Sequence, residues 1–233
     1  MASVRSSRSV LVEVERLEGW LARFAERNGP YVVEHHGEGP NGSLRVTAEN
    51  GCSAVLTPPL PSRDLPTAAS SDQDHGTGLI AALVSGIDPS AVVGLVLIRR
   101  GGYSVGVARS GAVLASKTGT RYVQGRTAAG GWSQQRFARR RANQADALVE
   151  ETAARAAALF RAEQPSCVQL GGDRALAAAT MAEAILSPWS KLPQLPLLTV
   201  PDPRFAVLKE AARSALSIRV TVTDPPTPRS AGQ

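Results

Sequence analysis

The sequence predicts a mixed α and β fold in which a central mixed sheet is flanked by helices and preceded by a small N-terminal αβ extension. Short apolar segments of strand length alternate with helical segments, and residues 92–99 form a continuous apolar run typical of a buried strand. Hydrophobic residues make up 43% of the 233 positions and aromatic residues only 4%, so the core must consist mainly of Ala, Val and Leu.

The first sixty residues are predicted to form a strand–helix–hairpin extension, residues 1–60. Residues 9–15 alternate as a strand does, and residues 17–27 have the apolar spacing of a short amphipathic helix that ends at Gly29-Pro30. Two further strands, at 44–48 and 52–57, form a hairpin closed by Glu49-Asn50-Gly51. Residues 61–76 are rich in Pro, Ser, Asp and Ala, which is typical of a linker or a mobile loop.

Residues 77–224 are predicted to form the main domain, and residues 225–233 a flexible tail. Its elements in order are a helix beginning at 79–84, a strand at 92–99, a hairpin at 103–109 and 112–117, a strand at 121–125, a loop at 126–135, a helix from 136 to about 160, a strand at 167–170, helices at 174–186 and 203–215, and a strand at 218–223. This order predicts one sheet with helices on its faces.

Cysteine and histidine usage limits the chemistry. Cys52 and Cys167 each lie in a strand-like segment far apart in the chain, which favours two reduced core thiols over a disulfide. His35, His36 and His75 have no cysteine or carboxylate at ligand spacing, so we expect no metal site and no cofactor. The chain has no apolar run of roughly 20 residues and no signal-peptide pattern at its start, and we therefore expect a cytoplasmic protein.

Positive charge is concentrated in one region. Between Asp88 and Asp146 there is no Asp or Glu, yet the segment contains ten basic residues; the rest of the chain has 16 basic against 20 acidic residues. The whole net charge of +6 therefore comes from the middle of the chain. A block of one sign indicates a surface for a polyanion, and nucleic acid is the leading candidate, because no long basic amphipathic helix suits a membrane surface.

The centre of this block is TAAGGWSQQRFARRRANQ, residues 127–144. Gly130 and Gly131 can take backbone angles closed to other residues, so we expect the three residues that follow them to lie on an exposed loop. From Arg136 onward the pattern is helical, with a stripe of small residues at Ala138, Ala142, Ala145, Val149, Thr152, Ala156 and Leu159. The simpler alternative is a solvated basic helix after an ordinary Gly-Gly turn.

A second motif, LGGDR at residues 170–174, follows a predicted strand and opens a helix. It lacks the glycine spacing and lysine of a P-loop and the spacing of a dinucleotide fingerprint. We therefore interpret it as a tight turn with Asp173 capping the helix, in preference to a phosphate site. Ser133 has no histidine near it in sequence, so a serine triad is weakly supported.

The run YVQGRTAAGGWSQQRFARRRANQ resembles the Vms-like release-factor domain, in particular its bacterial branch of peptidyl-tRNA hydrolases. That family is related to the middle domain of archaeal and eukaryotic peptide release factors, which implies a release-factor middle-domain, RNase-H-like fold over roughly residues 76–224. In the family a Gly-x-x-Gln loop enters the peptidyl-transferase centre and cleaves the ester between nascent peptide and tRNA. The release factors themselves use adjacent Gly-Gly-Gln, so two residues inserted before the glutamine favour the ribosome-rescue branch.

The resemblance assigns the candidate residues. The catalytic set is Gln134 together with Gly130, Gly131 and Ser133. The RNA-binding set is Arg121, Arg126, Trp132, Arg136, Arg139, Arg140 and Arg141. The implied partners are peptidyl-tRNA and the large ribosomal subunit with its ribosomal RNA, in ribosome-associated quality control; no DNA or membrane partner is expected.

The proposed chemistry suits these residue types. A glutamine amide does not titrate in the useful range, so Gln134 can position a water molecule or donate to a developing oxyanion but cannot act as a general base. The arginines supply phosphate contacts that give affinity without base specificity. Trp132 either stacks on a nucleobase or covers the foot of the loop.

Two other classes of function stay open. One is a non-enzymatic tRNA- or ribosome-binding module. The other is an RNase-H-like nuclease, which needs clustered carboxylates for two metal ions; the acid-free central segment argues against such a cluster.

Overall fold

The computed structural model of the chain describes residues 6–37, 42–61, 75–120 and 132–225, and for His75 and residues 132–142 it describes the backbone alone. The chain divides into two compact units. Unit 1 contains Met1–Pro89 and Leu216–Gln233, and unit 2 contains Ser90–Ala215. The second unit is thus inserted between two segments of the first. The predicted mixed α and β class is confirmed by this alternation of helices and strands.

Unit 1 is built on a five-stranded antiparallel sheet. Its strand order is β1-β10-β4-β3-β2. The strands are β1 (Ser7–Val12), β2 (Tyr31–His36), β3 (Ser43–Ala48), β4 (Ser53–Thr57) and β10 (Ile218–Thr223), and the helices are α1 (Leu17–Asn28) and α2 (His75–Ser85). Alternate strand residues such as Leu44, Val46 and Val220 are buried with Leu21 and Phe24 of α1, so one face of the sheet carries the core.

Unit 2 is built on a mixed five-stranded sheet with the order β7-β6-β5-β8-β9. Its strands are β5 (Val93–Arg99), β6 (Gly102–Arg109), β7 (Ala112–Thr120), β8 (Cys167–Gly172) and β9 (Gln194–Leu198), and its helices are α3 (Trp132–Glu163), α4 (Arg174–Ala182) and α5 (Phe205–Ser214). Strands β5, β6 and β7 are antiparallel neighbours, whereas β8 runs parallel to both β5 and β9. A short 3-10 helix, Ala184–Trp189, follows α4.

Both faces of the unit 2 sheet are covered. On one face α3 packs close to the strands, because Gly94 leaves room for the ring of Phe160: a Cβ at Gly94 would lie 2.6 Å from its Cζ. On the other face α5 packs on β5, β6 and β7, and a Cβ at Gly106 would lie 2.8 Å from Cδ2 of Leu208. Covering both faces explains the continuous burial of Val93 to Ile98 that the apolar sequence run predicted.

The small-residue stripe on α3 is correct in part. Val149, Thr152 and Ala156 are buried against the sheet as predicted, and Leu159 and Ala145 are half-buried. The buried face also contains residues outside that stripe, namely Leu148, Ala153, Ala157 and Phe160. Ala138 and Ala142 lie in the segment of which only the backbone is described.

Two predictions about organisation are wrong. The strands of residues 77–224 do not all belong to one sheet, because β10 lies in the sheet of unit 1, where it pairs with β1 and β4. Helix α2 likewise falls within unit 1, so the first sixty residues are not a separate extension. Residues 218–223 alternate as a strand in either arrangement, and strand pairing between distant segments leaves no local signal in the sequence.

Other boundaries differ less. Strands β2 and β9 were not predicted, and α4 ends at Ala182, where the sequence pattern indicates 186. The predicted strand at 121–125 and most of the predicted loop, linker and tail lie outside the described residues.

Candidate functional site at one edge of the unit 2 sheet

One end of each of the five strands of unit 2 lies at the same edge of the sheet. Ile98 pairs with Gly172 at the ends of β5 and β8, and Gly171 pairs with Leu198 at the end of β9. At the same edge β6 begins, where Gly102 pairs with Thr120, the last residue of β7. We call this the carboxyl edge. Thr120 is also the last described residue before the predicted catalytic loop, residues 126–135.

Helix α3 runs antiparallel to β5 and continues beyond the carboxyl edge. Its residue Phe160 lies over Gly94, near the start of β5, whereas Glu151 accepts a hydrogen bond of 3.1 Å from the hydroxyl of Tyr103, near the start of β6. Where side chains are described, Leu148 is the first fully buried residue of the helix. The preceding residues of the helix, 132–147, span about 24 Å at 1.5 Å per residue. The basic end of the helix is therefore carried away from the sheet.

Tyr103 joins the end of β7 to α3. A Cβ at Gly119 would lie 2.5 Å from Cε1 of the Tyr103 ring, so the ring occupies the place of a side chain at that position. Burial raises the pKa of the Tyr103 hydroxyl, and the hydrogen bond to Glu151 raises it further, while Arg155 acts in the opposite direction. The hydroxyl therefore stays protonated at physiological pH and remains a donor. Tyr103 thus connects Gly119 with Glu151, and the predicted loop lies between these two residues in sequence.

In sequence, the predicted catalytic and RNA-binding residues fall between Thr120, the last residue of β7, and the first turns of α3. Arg121, Arg126, Gly130 and Gly131 lie outside the described residues. The other predicted residues belong to the first turns of α3, where the backbone is described and the side chains are not: Trp132, Ser133, Gln134, Arg136, Arg139, Arg140 and Arg141. Their assigned roles therefore stay predictions.

The helix starts earlier than the sequence indicated. We expected Trp132, Ser133 and Gln134 on an exposed loop and a helix from Arg136, but α3 begins at Trp132. A run of Trp, Ser and Gln contains neither Gly nor Pro, so nothing in it stops a helix from extending back to Gly131. Gln134 is thus the third residue of the helix, among backbone N–H groups that have no acceptor within the helix.

The motif at residues 170–174 contains the predicted cap at Asp173, but Gly171 and Gly172 belong to β8 rather than to a tight turn. The carboxylate of Asp173 accepts hydrogen bonds from the backbone N–H groups of Ala175 and Leu176 at 3.0 and 3.2 Å. Gly172 has a φ of 96°, which only glycine adopts readily, and any side chain there would collide with the carbonyl oxygen of Ile98. The two glycines and the aspartate are accounted for by packing and capping.

Two residues of the carboxyl edge have no distinguishing signal in the sequence. Tyr103 gave no signal, because its role depends on Gly119 and Glu151, which are distant in sequence. Arg99 was counted in the basic block but was not singled out. Its guanidinium donates to the carbonyl oxygen of Val200 at 3.0 Å, a contact between segments about a hundred residues apart.

Cys52 and Cys167 are both buried free thiols, as predicted. Burial raises the pKa of Cys167 to about 11, so it is protonated and unreactive at neutral pH. Within residues 6–37, 42–61, 75–120 and 132–225, no three His, Cys, Asp or Glu side chains lie close enough to hold a metal ion. Over the same part of the chain, every helix is too short or too polar to cross a membrane.

Residues 91–221, more than half of the chain, match the family described as acVLRF1, Actinobacteria/chloroflexi VLRF1 release factor. No curated protein sequence matches the chain significantly.

Among solved structures, the archaeal translation termination factor aRF1 matches with a TM-score of 0.39 and 16% identity, over 85% of this chain and 52% of that one. The structure described as the Vms1 mitochondrial localization core matches with a TM-score of 0.37 and 11% identity, over 87% of this chain and 81% of that one. A structure described as an archaeal protein matches with a TM-score of 0.35 and 14% identity, over 90% of this chain and 65% of that one. The chain thus spans about half the length of the archaeal termination factor.

Proposed function

The chain belongs to the Actinobacteria/chloroflexi VLRF1 release factor family, and on that premise we propose that it is a peptidyl-tRNA hydrolase of ribosome rescue. The observation that carries the proposal is the Gly-x-x-Gln spacing of Gly131 to Gln134, where the glutamine is the third residue of a helix that continues past the carboxyl edge. In this arrangement the amide of Gln134 lies at the start of an arginine-rich helix, next to backbone N–H groups that have no acceptor within the helix. This supports its use at a bound substrate.

In the proposed reaction, water attacks the carbonyl carbon of the ester that joins the peptide to the ribose of the terminal adenosine. Gln134 holds this water through its amide, which can accept one hydrogen bond and donate another. A new C–O bond forms to the water oxygen and the ester C–O bond to the ribose breaks. The neighbouring ribose hydroxyl accepts a proton from the attacking water and gives its own proton to the departing oxygen. The N–H groups at the start of α3 stabilise the oxyanion. The contribution of the protein is positioning and electrostatic stabilisation.

Affinity in this proposal comes from phosphate contacts. Arg121 and Arg126 on the segment before the helix, and Arg136 with Arg139, Arg140 and Arg141 on its first turns, bind phosphates of peptidyl-tRNA or of ribosomal RNA in the large subunit. Trp132 follows Gly131 directly. It either stacks on a nucleobase of the RNA or packs against the foot of the loop. These partners place the protein in the cytoplasm, where translation takes place.

A non-enzymatic RNA-binding module is the second candidate, because the acid-free basic block by itself supports RNA binding and nothing more. An RNase-H-like nuclease is the third candidate. One assay separates all three: the purified full chain is incubated with peptidyl-tRNA, free and on stalled large ribosomal subunits, with and without a chelator. Release of the peptide with intact tRNA supports the proposal. Binding without release supports the module, and chelator-sensitive cleavage of the RNA supports the nuclease.

A further inference from the structure

The carboxyl edge exposes arginines that neither the motif nor the resemblance assigns. Arg99 is the last residue of β5, Arg100 follows it in the turn to β6, and Arg174 is the first residue of α4 after β8. All three side chains are exposed. Because β5 and β8 are parallel neighbours, the three arginines lie together at the edge from which the chain runs into the predicted loop.

The position of Arg99 is fixed by contacts within unit 2. Its Cγ lies 2.9 Å from where a Cβ on Gly172 would be, so the side chain crosses the space that the glycine leaves open. One nitrogen of its guanidinium donates to the carbonyl oxygen of Val200 at 3.0 Å. A guanidinium has five N–H donors, and the remaining donors stay available to an anion. Less side-chain entropy is lost when such a pre-ordered group binds phosphate.

Acidic groups at this edge do not cancel the arginines. Asp173 lies next to Arg174, but its carboxylate accepts from two backbone N–H groups at the start of α4. Asp202 is exposed, and a further exposed arginine, Arg204, lies two residues further on, before α5. Arg99, Arg100, Arg174 and Arg204 outnumber Asp173, Asp202 and Glu151 at this edge, so its net charge is positive.

We propose that Arg99, Arg100 and Arg174 form a second phosphate-binding surface, which contacts the sugar-phosphate backbone of the tRNA whose 3′ end is carried to Gln134. This inference rests on the proposed function, because that function places the tRNA at the end of α3. The helix start and the edge are separated by the 132–147 segment, about 24 Å, so one RNA molecule meets two separate groups of arginines. The edge contributes affinity and orientation, without base specificity.

The test compares two triple variants of the full chain. The first is Arg99→Gln, Arg100→Gln and Arg174→Gln. The control is Arg109→Gln, Arg161→Gln and Arg213→Gln, which removes the same charge at the opposite end of unit 2, where β6 ends and α3 and α5 finish. Binding of deacylated tRNA is measured over a range of KCl concentrations, and hydrolysis of peptidyl-tRNA over a range of substrate concentrations.

The edge variant is expected to bind tRNA about tenfold or more weakly, with a salt slope lower by about two to three units, roughly one for each phosphate that is no longer bound. Its KM should rise while kcat stays close to the wild-type value, because the removed side chains act on binding. The control should change the slope by less than one unit. The double variant Arg100→Gln, Arg174→Gln leaves the Arg99–Val200 hydrogen bond in place, and it should show about two thirds of the effect with an unchanged melting temperature.

An edge variant with the wild-type salt slope would overturn the inference, as would equal losses in both triple variants. Loss of binding to large ribosomal subunits with unchanged tRNA binding would also overturn it, since it would assign the edge to ribosomal RNA. These results differ from failure of the proposed function. If the wild-type chain binds tRNA through the edge but releases no peptide, the hydrolase proposal fails and the tRNA surface stands.

Discussion

The ring of Tyr103 lies where a side chain on Gly119 would be, and its hydroxyl donates to Glu151 on α3 at 3.1 Å. Gly119 is the penultimate residue of β7, and α3 begins at Trp132, so the tyrosine ties together the two elements that flank residues 121–131. The contact thus fixes β7, which leads into residues 121–131, relative to the buried part of α3, which follows them.

Gly119→Ala should destabilise the protein. The new methyl group would lie within 2.7 Å of three Tyr103 ring and hydroxyl atoms, and the ring is buried. Overpacking of this kind costs about 1–3 kcal/mol, so chemical denaturation should show a lower unfolding free energy. Hydrolysis should fall as well, because the displaced tyrosine no longer holds Glu151.

Gly78→Ala is the matched control for that variant. Gly78 lies in α2 with nothing within 4 Å of a Cβ, so alanine should stabilise the helix by about 0.5–1 kcal/mol. If both alanines have the same effect on stability, the packing of Tyr103 on Gly119 is not what requires the glycine.

Gln134→Ala should leave the fold intact and abolish most of the hydrolysis. Since Gln134 lies within a helix, where alanine is the most favourable residue, the melting temperature should stay the same or rise slightly. Peptide release should drop by about a hundredfold or more, the scale of losing one oxyanion donor. Binding of tRNA should persist.

Gln135→Ala provides the internal control, because it changes the same residue type one position further along the helix. It should keep most of the activity, since only Gln134 has the Gly-x-x-Gln spacing to Gly131. Full release by the Gln134 variant, or a loss confined to the Gln135 variant, would return the chain to the class of RNA-binding modules.

The basic start of α3 should dominate the salt dependence of RNA binding. Changing Arg139, Arg140 and Arg141 to Gln is expected to lower the salt slope by about one unit for each phosphate that the variant no longer binds. The Arg109, Arg161 and Arg213 triple variant removes the same charge and should lower it far less. Equal impairment of the two variants in the same KCl titration would contradict a localised RNA surface.

Cys167 should make the protein less stable at alkaline pH. Burial raises its pKa from 9.0 to about 11, so the folded state holds the proton over a pH range in which the unfolded state releases it. The contribution of this thiol to the unfolding free energy is complete below pH 9 and is lost as the pH rises through 11. The loss is roughly 2–3 kcal/mol, at 1.36 kcal/mol for each unit by which the pKa is raised. The unfolding free energies of the wild-type protein and Cys167→Val should therefore diverge in their pH profiles above pH 9. Parallel profiles would mean that the thiol ionises as readily in the folded state as in the unfolded state.

The sequence by itself determined the local features of this protein. The apolar run of β5, the hairpin of β6 and β7, the small residues of α3 and the Asp173 cap each depend on residues close together in the chain, so periodicity and turn chemistry predicted them. The charge block and the Gly-x-x-Gln spacing are likewise sequence properties, and they were enough to identify the family resemblance.

Only the tertiary structure decided how the pieces assemble. It placed β10 with β1 and β4 across more than 150 residues of chain, and thereby removed β10 from the sheet predicted for residues 77–224. It also brought Tyr103 to Glu151, and Arg99 beside Arg174. The physical reason is that strand pairing and side-chain packing join segments by shape and register, which are distributed over distant residues, whereas sequence patterns record only what each segment needs from its own neighbours.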